Sequence, residues 1–310
     1  MARVVVTGAT GFVGGRIARA LRERGDEVVA LVRTPSDELA ALGIEQPVVA
    51  LDDVAGLTAA LQGVDGVVHA AATAGPDLET AREVNTVGTR SVVDAALAAG
   101  RPRFVHISTT SVYDRDASGD AVLHEDAPLA APGPAGSGRE EGAAAAPASS
   151  AGSPYAITKA EAEAEVARGG AQGLSVAILR PPAVLGAGPT STWGTRMPVR
   201  YRDGDLPGIP PATTFGWVHV DDLVDAALVA LDGDVQATLN VVGGHTTFGD
   251  YLAALREFVP APPATAAASD DEPWRGSYAT DRLPEVLGFR PHRSFADALD
   301  EIAASWAQSG

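Results

Sequence analysis

Tyr155 and Lys159 are the two side chains whose types and spacing best suit proton transfer. They lie four residues apart at the start of a predicted helix over 155–168, so the phenol and the ammonium project from the same face. A phenol titrates near pH ~10 and is a poor acid or base at neutral pH, but an adjacent cation stabilises the phenolate. The pair therefore indicates general acid–base chemistry.

Three hydroxyls follow the predicted strand over 103–108. Thr109, Thr110 and Ser111 come directly after it, and ligands bind at the carboxyl ends of strands in open α/β sheets. Hydroxyls at such a place also cap turns, so the pattern alone leaves both interpretations open. We expect Thr110 and Ser111 to contact a substrate.

A glycine-rich turn follows the first predicted strand. The segment from Thr7 to Gly14 reads T-G-A-T-G-F-V-G and leads into a predicted helix. Such glycines let the turn close and let the backbone approach a pyrophosphate, while the helix N-terminus offers free N–H groups. This predicts a dinucleotide site, whose candidate contacts here are Gly8, Thr10, Gly11, Phe12 and Val13.

The end of the second predicted strand indicates which dinucleotide. A carboxylate there would bind the ribose hydroxyls of NAD, but the sequence continues from Val32 into Arg33, Thr34, Pro35 and Ser36. A guanidinium and hydroxyls suit a 2′-phosphate. We therefore expect NADP(H) to be favoured over NAD(H), with Arg33 at the phosphate.

The surrounding elements predict the α/β class, with a Rossmann-type doubly wound parallel sheet and a smaller C-terminal substrate-binding lobe. Apolar runs without alternation are typical of strands buried on both faces. We place the cofactor domain at 1–178 and the lobe mainly at 179–310, with 216–244 returning to the first domain. The predicted strands are 3–6, 27–32, 47–51, 66–69, 103–108, 175–179 and 238–242. The predicted helices are 16–24, 56–61, 78–99, 155–168, 221–231, 248–258 and 295–307.

Composition bears on the partners, the location and the metal content that we expect. The 310 residues carry a formal net charge of −17, no cysteine and a single lysine, Lys159. The charge disfavours nucleic acid and anionic membrane surfaces as partners, and the absence of cysteine fits a cytoplasmic protein. The six histidines lack metal-ligand spacing, so we expect no metal site and structural roles for His106 and His219.

One segment, 127–152, has an unusual composition. There, 22 of 26 residues are Ala, Pro, Gly or Ser, too little apolar surface to offset the entropy of ordering. We expect a mobile insertion, which is either a lid over the substrate cleft or a neutral surface loop.

Several short motifs, in this order, resemble the extended branch of the short-chain dehydrogenase/reductase superfamily, the NAD(P)-dependent epimerase/dehydratase family, and within it dihydroflavonol-reductase-like members. The motifs are 7–14, 67–72, 84–89, 109–113, 155–159, 179–182, 218–222 and 287–291.

The resemblance implies roles for individual residues. Tyr155 would be the acid/base, Lys159 would bind the nicotinamide ribose and lower the tyrosine pKa, and Thr109 would orient the substrate oxygen. The cofactor cleft would be lined by His69, Ala70, Ala71 and Pro182. Relatives also pair the helices 78–99 and 155–168 across a dimer, which makes a homodimer an expectation here.

Departures from the family pattern restrict which reaction we expect. Dehydratase members carry Asp-Glu after the active hydroxyl, where this chain has Thr110 and Ser111. Members acting on nucleotide sugars usually place an arginine at the position of Phe215. We therefore expect a carbonyl reductase or alcohol dehydrogenase for a small, largely apolar ketone or secondary alcohol, with Trp193 and Phe215 as candidate substrate contacts.

Two other functions stay open. A nucleotide-sugar epimerase or 4-ketoreductase would use the same Tyr155, with Arg196, Arg200 and Arg202 available for a diphosphate. A non-catalytic NADP-sensing regulator could share the fold, although such proteins have often lost the tyrosine and lysine that this chain keeps.

Overall fold

The computed structural model describes residues 1–75, 77–131, 152–260 and 271–309. The predicted insertion at 127–152 lies mostly outside these ranges. The strands are β1 Arg3–Thr7, β2 Glu27–Leu31, β3 Gly66–His69, β4 Arg103–Ile107, β5 Val122–Leu123, β6 Val176–Arg180, β7 Ala183–Leu185, β8 Thr214–His219, β9 Ala237–Asn240, β10 Gly244–Thr247 and β11 Ser277–Tyr278. The helices are α1 Phe12–Glu23, α2 Asp37–Ala41, α3 Val54–Ala60, α4 Leu78–Arg82, α5 Gly88–Ala98, α6 Arg115–Ser118, α7 Pro154–Ala171, α8 Met197–Asp203, α9 Val220–Asp232, α10 Phe248–Leu255, α11 Arg282–Leu287 and α12 Phe295–Ser309.

Six strands form one parallel sheet in the order β2-β1-β3-β4-β6-β9. Side chains alternate between its two faces along each strand. One face packs on α1, α9 and α11 through a wholly apolar cluster that includes Ile17 and Leu223. The other packs on α3, α5 and α7 through Leu57, Val92 and Val166. Helices on both faces of a parallel sheet confirm the predicted Rossmann-type α/β fold.

The predicted strand at 47–51 is wrong. The chain there makes only isolated bridges beside β2, between Val29 and Glu45 and between Val32 and Val48. Pro47 has no N–H to donate to a ladder, and Val48 is 62% exposed. A segment with so little buried surface does not extend the sheet.

The predicted helix at 78–99 is divided. Residues Glu83–Val87 form a widened π-helical turn between α4 and α5. Turns of this kind insert one residue into an α-helix and are frequent at functional sites. A second one, Thr192–Arg196, precedes α8.

The C-terminal part contributes to two regions. Its elements α9 and β9 lie on the six-stranded sheet. In a smaller unit, the sheet β10-β8-β7 packs with α8, α10 and α12 around an aromatic core. Among the described residues, no helix is long and apolar enough to cross a membrane.

Candidate active site

Two loops and the first turn of α1 meet at backbone distance where β1 and β3 end. Gly8 has φ +72°, and a Cβ on it would lie 2.6 Å from the Ala71 nitrogen. A Cβ on Gly14 would lie 2.3 Å from the Gly8 oxygen. Only glycine permits this packing, which brings the first turn of α1 against the β1 loop.

The N-terminus of α1 can accept an anion. Its N-cap, Gly11, offers no side-chain cap, so N–H groups of the first turn keep their capacity for a ligand. Thr10 is exposed, and Phe12 and Val13 are half-buried beside it. Arg33 is exposed just beyond β2, the strand next to β1. These groups suit the phosphates of a dinucleotide, and the predicted contacts therefore lie together.

The predicted hydroxyls form a short turn after β4. Thr109 caps the 3₁₀ turn Thr110–Val112: its oxygen accepts a hydrogen bond from the Ser111 N–H at 3.1 Å, and its hydroxyl donates to the Ser111 oxygen at 3.2 Å. Thr110 is buried, and its N–H donates to the Pro181 carbonyl at 2.9 Å. Thr109 thus caps a turn, which is one of the two interpretations that the sequence left open.

Tyr155 lies in the first turn of α7. Ser153 caps this helix by accepting from the Ala156 N–H at 3.1 Å, and Pro154 opens it. The helix packs against the turn that carries Thr110, so the phenol and the hydroxyls share one end of the sheet. Tyr155 is half-buried.

Burial raises the pKa of Tyr155 to about 12. This is opposite to the expected lowering by Lys159. The physical reason is that the phenolate is desolvated, while the lysine is engaged elsewhere. Tyr155 is therefore a protonated acid at neutral pH in this structure.

Lys159 reaches into the sheet and is buried. Its Nζ donates to the Ile107 carbonyl at 2.9 Å and to His106 Nε2 at 3.0 Å. Burial lowers its pKa to about 8, opposed by the nearby negative charge of Glu163. The ammonium is thus held at the carboxyl end of β4, where its acceptor Ile107 lies two residues before Thr109 in the chain.

A row of polar side chains crosses the same sheet face. Thr7, His69 and His106 are register partners on β1, β3 and β4. The Ala71 N–H donates to Thr7 Oγ1 at 3.3 Å, and the Thr7 hydroxyl lies 2.7 Å from His69 Nδ1. On the other side, His69 Nε2 lies 2.9 Å from Thr89 Oγ1, whose hydroxyl donates to the Asn85 carbonyl. His69 is therefore fixed as an Nδ1 acceptor and Nε2 donor.

His69 departs from its expected place in the cofactor cleft, because it is 0% exposed. It orients the loop that follows β3, and in that loop Ala70 and Ala71 are half-buried. Pro182, also expected at the cleft, is half-buried after β6.

The widened turn at Glu83–Val87 places Asn85 between two segments. The Asn85 side chain donates to the Thr73 carbonyl at 2.8 Å and to Thr158 Oγ1 at 2.9 Å, and it accepts from the Thr73 N–H at 2.9 Å. It thereby fixes the loop after β3 relative to the helix that carries Tyr155 and Lys159.

A buried ion pair continues the row. The Arg180 guanidinium forks onto the Glu163 carboxylate, with contacts of 2.5 and 2.9 Å, and Ser108 donates to the same carboxylate. Arg180 also lies 4.8 Å from the centre of the Tyr113 ring and donates to the Glu125 carbonyl. Burial raises the pKa of Tyr113 to about 12, so this phenol is neutral.

Sequence reasoning expected a structural role for His106 but did not reveal its contact with Lys159, and it missed the roles of Asn85, Glu163 and Arg180. One signal was available: Phe104, His106 and Ser108 alternate along a predicted strand and so share a face. That signal did not reveal which side chains the neighbouring strands bring opposite them.

Trp193 and Phe215 lie in the core of the lobe, 7% and 5% exposed. Their rings pack edge to face at 4.8 Å, and Phe215 stacks on Tyr251 at 4.8 Å. Their structural role is packing, and substrate contact by either stays a prediction.

In two clusters of a histidine with carboxylates, an arginine forms ion pairs with the carboxylates. His219 lies 3.1 Å from Glu301, while Arg16 pairs with both Glu301 and Asp221. In the second cluster Arg293 pairs with Asp222 and Asp225 beside His292. These contacts account for the carboxylates without an ion.

Comparison with known proteins agrees with this arrangement. The family model described as NAD dependent epimerase/dehydratase family matches residues 4–242. A "Sterol demethylase protein B" of Methylococcus capsulatus is 30% identical over 270 residues, 83% of this chain and 75% of the relative. A "3-diazoavenalumate denitrifying reductase" of a Streptomyces species is 32% identical over 96% of this chain and 99% of its own.

A solved structure is similar over its whole length. It is "MoeE5 in complex with UDP-glucose and NAD", with a TM-score of 0.78, 25% identity and 99% coverage of both chains. The matched segment includes the glycine turn, the hydroxyls after β4 and the Tyr155–Lys159 pair. The chain therefore belongs to the NAD dependent epimerase/dehydratase family, whose members here are NAD(P)-dependent oxidoreductases and epimerases of the extended short-chain dehydrogenase/reductase type.

Proposed function

We propose that the protein is an NADP-dependent carbonyl reductase acting on a small, largely apolar ketone or aldehyde, with alcohol oxidation as the reverse reaction. The observation that carries this proposal is the position of Tyr155. It lies in the first turn of α7, which packs against the turn that Thr109 caps, and burial raises the pKa of its phenol, which is therefore protonated at neutral pH. A carbonyl reduction needs such a proton donor at neutral pH.

The proposed proton transfer uses groups at the carboxyl end of β4. The substrate oxygen accepts a hydrogen bond from the Tyr155 hydroxyl and a second one from the Thr109 hydroxyl, which turns from Ser111 to the substrate. A bound nicotinamide supplies the hydride to the carbonyl carbon. Tyr155 gives its proton to the oxygen, which yields an alcohol and a phenolate, and the positive charge of Lys159 stabilises that phenolate.

The position of Arg33 supports NADP(H) over NAD(H). Arg33 is exposed just beyond the carboxyl end of β2. In Arg33→Asp, we expect the ratio of kcat/KM for NADPH to that for NADH to fall about tenfold or more, since a charge-assisted contact becomes a repulsion. Arg103→Asp makes the same charge change at the amino end of β4 and should leave the ratio unchanged.

The ion pairs of two lobe arginines support a substrate without a diphosphate. Two of the three arginines considered for a diphosphate pair with carboxylates within the lobe, Arg200 with Asp205 and Arg202 with Asp203. One relative is named "2-alkyl-3-oxoalkanoate reductase", and its name indicates the substrate class to test first.

The test follows NADPH consumption with a panel of apolar ketones and aldehydes and with nucleotide-linked 4-keto sugars. Turnover of an apolar carbonyl, with the alcohol identified by mass spectrometry, would support the proposal. Turnover of the nucleotide-linked sugars alone would contradict this proposal and support a function on nucleotide sugars.

A second candidate is a nucleotide-sugar epimerase or 4-ketoreductase. It is favoured by the similarity to a structure that holds UDP-glucose and NAD and by Arg196, which is exposed. Calorimetric titration with UDP and dTDP separates the two functions, because the apolar-carbonyl proposal predicts no binding of either.

A further inference from the structure

Lys159 keeps one of its donors uncommitted. An ammonium has three N–H groups, and two of them are directed into the sheet, at the Ile107 carbonyl and at His106 Nε2. Both acceptors belong to β4. The third N–H has no acceptor among the described residues. It is the one available to a cofactor or a phenolate.

His106 is arranged as an acceptor. It is 0% exposed, and its pKa lies well below the usual value because of burial and the positive charge of Lys159. The ring is therefore neutral. With Nε2 accepting from the ammonium, its proton lies on Nδ1, which has no hydrogen-bond partner among the described residues.

An unpaired buried N–H destabilises a protein, so a purely structural role would be served better by an apolar residue. The groups that face His106 are His69 from β3, stacked at 5.3 Å, and Lys159 from α7. The Glu163 carboxylate lies one turn further along α7 and is committed to Arg180 and Ser108. Lys159 is thus the one charged group bonded to this ring in the described part of the chain.

We propose that His106 is a positioning residue for Lys159: its Nε2 holds the ammonium so that the remaining N–H points out of the sheet. The catalytic consequence rests on the proposed reductase function, whereas the contact itself does not. Loss of the acceptor should leave the ammonium less stabilised and free to turn.

The single lysine of the chain makes this directly measurable. Protein labelled with ¹⁵N and ¹³C in lysine gives one side-chain spin system, whose titration reports the pKa of Lys159. We expect His106→Phe to lower that pKa by about one pH unit, the effect of one hydrogen bond to a charged group. His106→Gln keeps an acceptor and should stay within a few tenths of wild type. Equal pKa values in wild type and His106→Phe would overturn the proposal.

A measurement on the wild type covers the case in which His106→Phe does not fold. In ¹⁵N-histidine-labelled protein at pH 7, we expect His106 as the Nδ1–H tautomer. An Nε2–H tautomer or an imidazolium would overturn the proposal.

Turnover gives the catalytic readout. With NADPH and an active carbonyl substrate, the alkaline limb of the kcat profile should move to lower pH in His106→Phe and remain in place in His106→Gln. If the two variants share one profile, positioning by an acceptor is wrong. If no carbonyl is turned over by wild type, the proposed function fails, while the lysine titration still decides the role of His106.

Discussion

At the carboxyl ends of its strands, the two faces of the six-stranded sheet differ in chemistry although the same strands supply both. Towards α1 and α9, successive strands present Val6, Val68, Ile107 and Leu179, all buried in one apolar cluster. Towards α5 and α7, the same strand ends present Thr7, His69, His106, Ser108 and Arg180. The apolar face holds the layers together by packing that has no preferred direction.

The polar face acts through directed bonds. Three sets of hydrogen bonds fix its groups: Thr7 with His69 and Thr89, His106 with Lys159, and Glu163 with Ser108 and Arg180. A buried polar network of this kind loses much when one member is removed, because its partner is left unsatisfied. The apolar face should therefore tolerate small changes, whereas the polar face should respond to the loss of a single atom. Four substitutions test this difference.

The largest effect is expected at the edge of the polar face. Tyr155→Phe removes only the phenolic oxygen, and we expect turnover to fall roughly 10²–10⁴-fold with NADPH affinity unchanged. Tyr201→Phe makes the same deletion in the lobe core and should retain turnover. Full activity in Tyr155→Phe would refute the assignment of the proton donor.

The next effect concerns stability. Glu163→Gln leaves the buried Arg180 charge without a counter-ion, and we expect a loss of about 3–5 kcal/mol in the free energy of unfolding. The matched control on the same helix is Glu161→Gln, whose partner Arg82 is partly exposed, with an expected loss of about 0–1 kcal/mol. Urea denaturation measures both, and equal losses would contradict the difference in burial.

The buried Lys159 links the stability of the protein to pH. Since its folded pKa, about 8, lies below the usual 10.5, the unfolded chain keeps a proton that the folded protein has lost between these values. Wild-type stability should therefore rise with pH across this window. Lys159→Met cannot titrate at this position and should be inactive. Between pH 7 and pH 10.5, the stability of wild type relative to Lys159→Met should rise by about 1–3 kcal/mol. A constant difference across this range would show that desolvation of the ammonium is not the cause.

The smallest effect is expected on the apolar face. Ile17→Val removes one methylene group from the cluster under α1, and we expect a loss of about 0.5–1.5 kcal/mol with kcat and KM unchanged. Thermal denaturation and steady-state kinetics measure the two. A change in kcat as large as that of a polar-face variant would end the distinction between the faces.

The fold and the Tyr155–Lys159 pair were predictable because both are local patterns. Apolar runs alternating with helices predict a parallel sheet, and a spacing of four places two side chains on one helix face. The segment 47–51 has the composition of a strand, but its low burial and Pro47 prevented a ladder. Aromatic residues such as Trp193 and Phe215 could equally line a cleft or fill a core, and the structure shows both packed in the core of the lobe.

The contact between Lys159 and His106 was not predictable in this way. It depends on the register between strands and on the direction of a long side chain, and neither has a signal in the sequence. The same applies to Glu163 and Arg180, which lie 17 residues apart on a helix and the following strand.

The widened turn at Glu83–Val87 implies that the spacing of the chain matters there as much as its composition. Deleting one residue beside Asn85 would restore a regular α-helix and its hydrogen bonds. It would also rotate the side chains on one side of the deletion by about 100° relative to the other. Asn85 would then lose Thr73 or Thr158. A shorter and intrinsically better helix would thus separate the two halves of the site, so this segment should tolerate substitutions more readily than deletions.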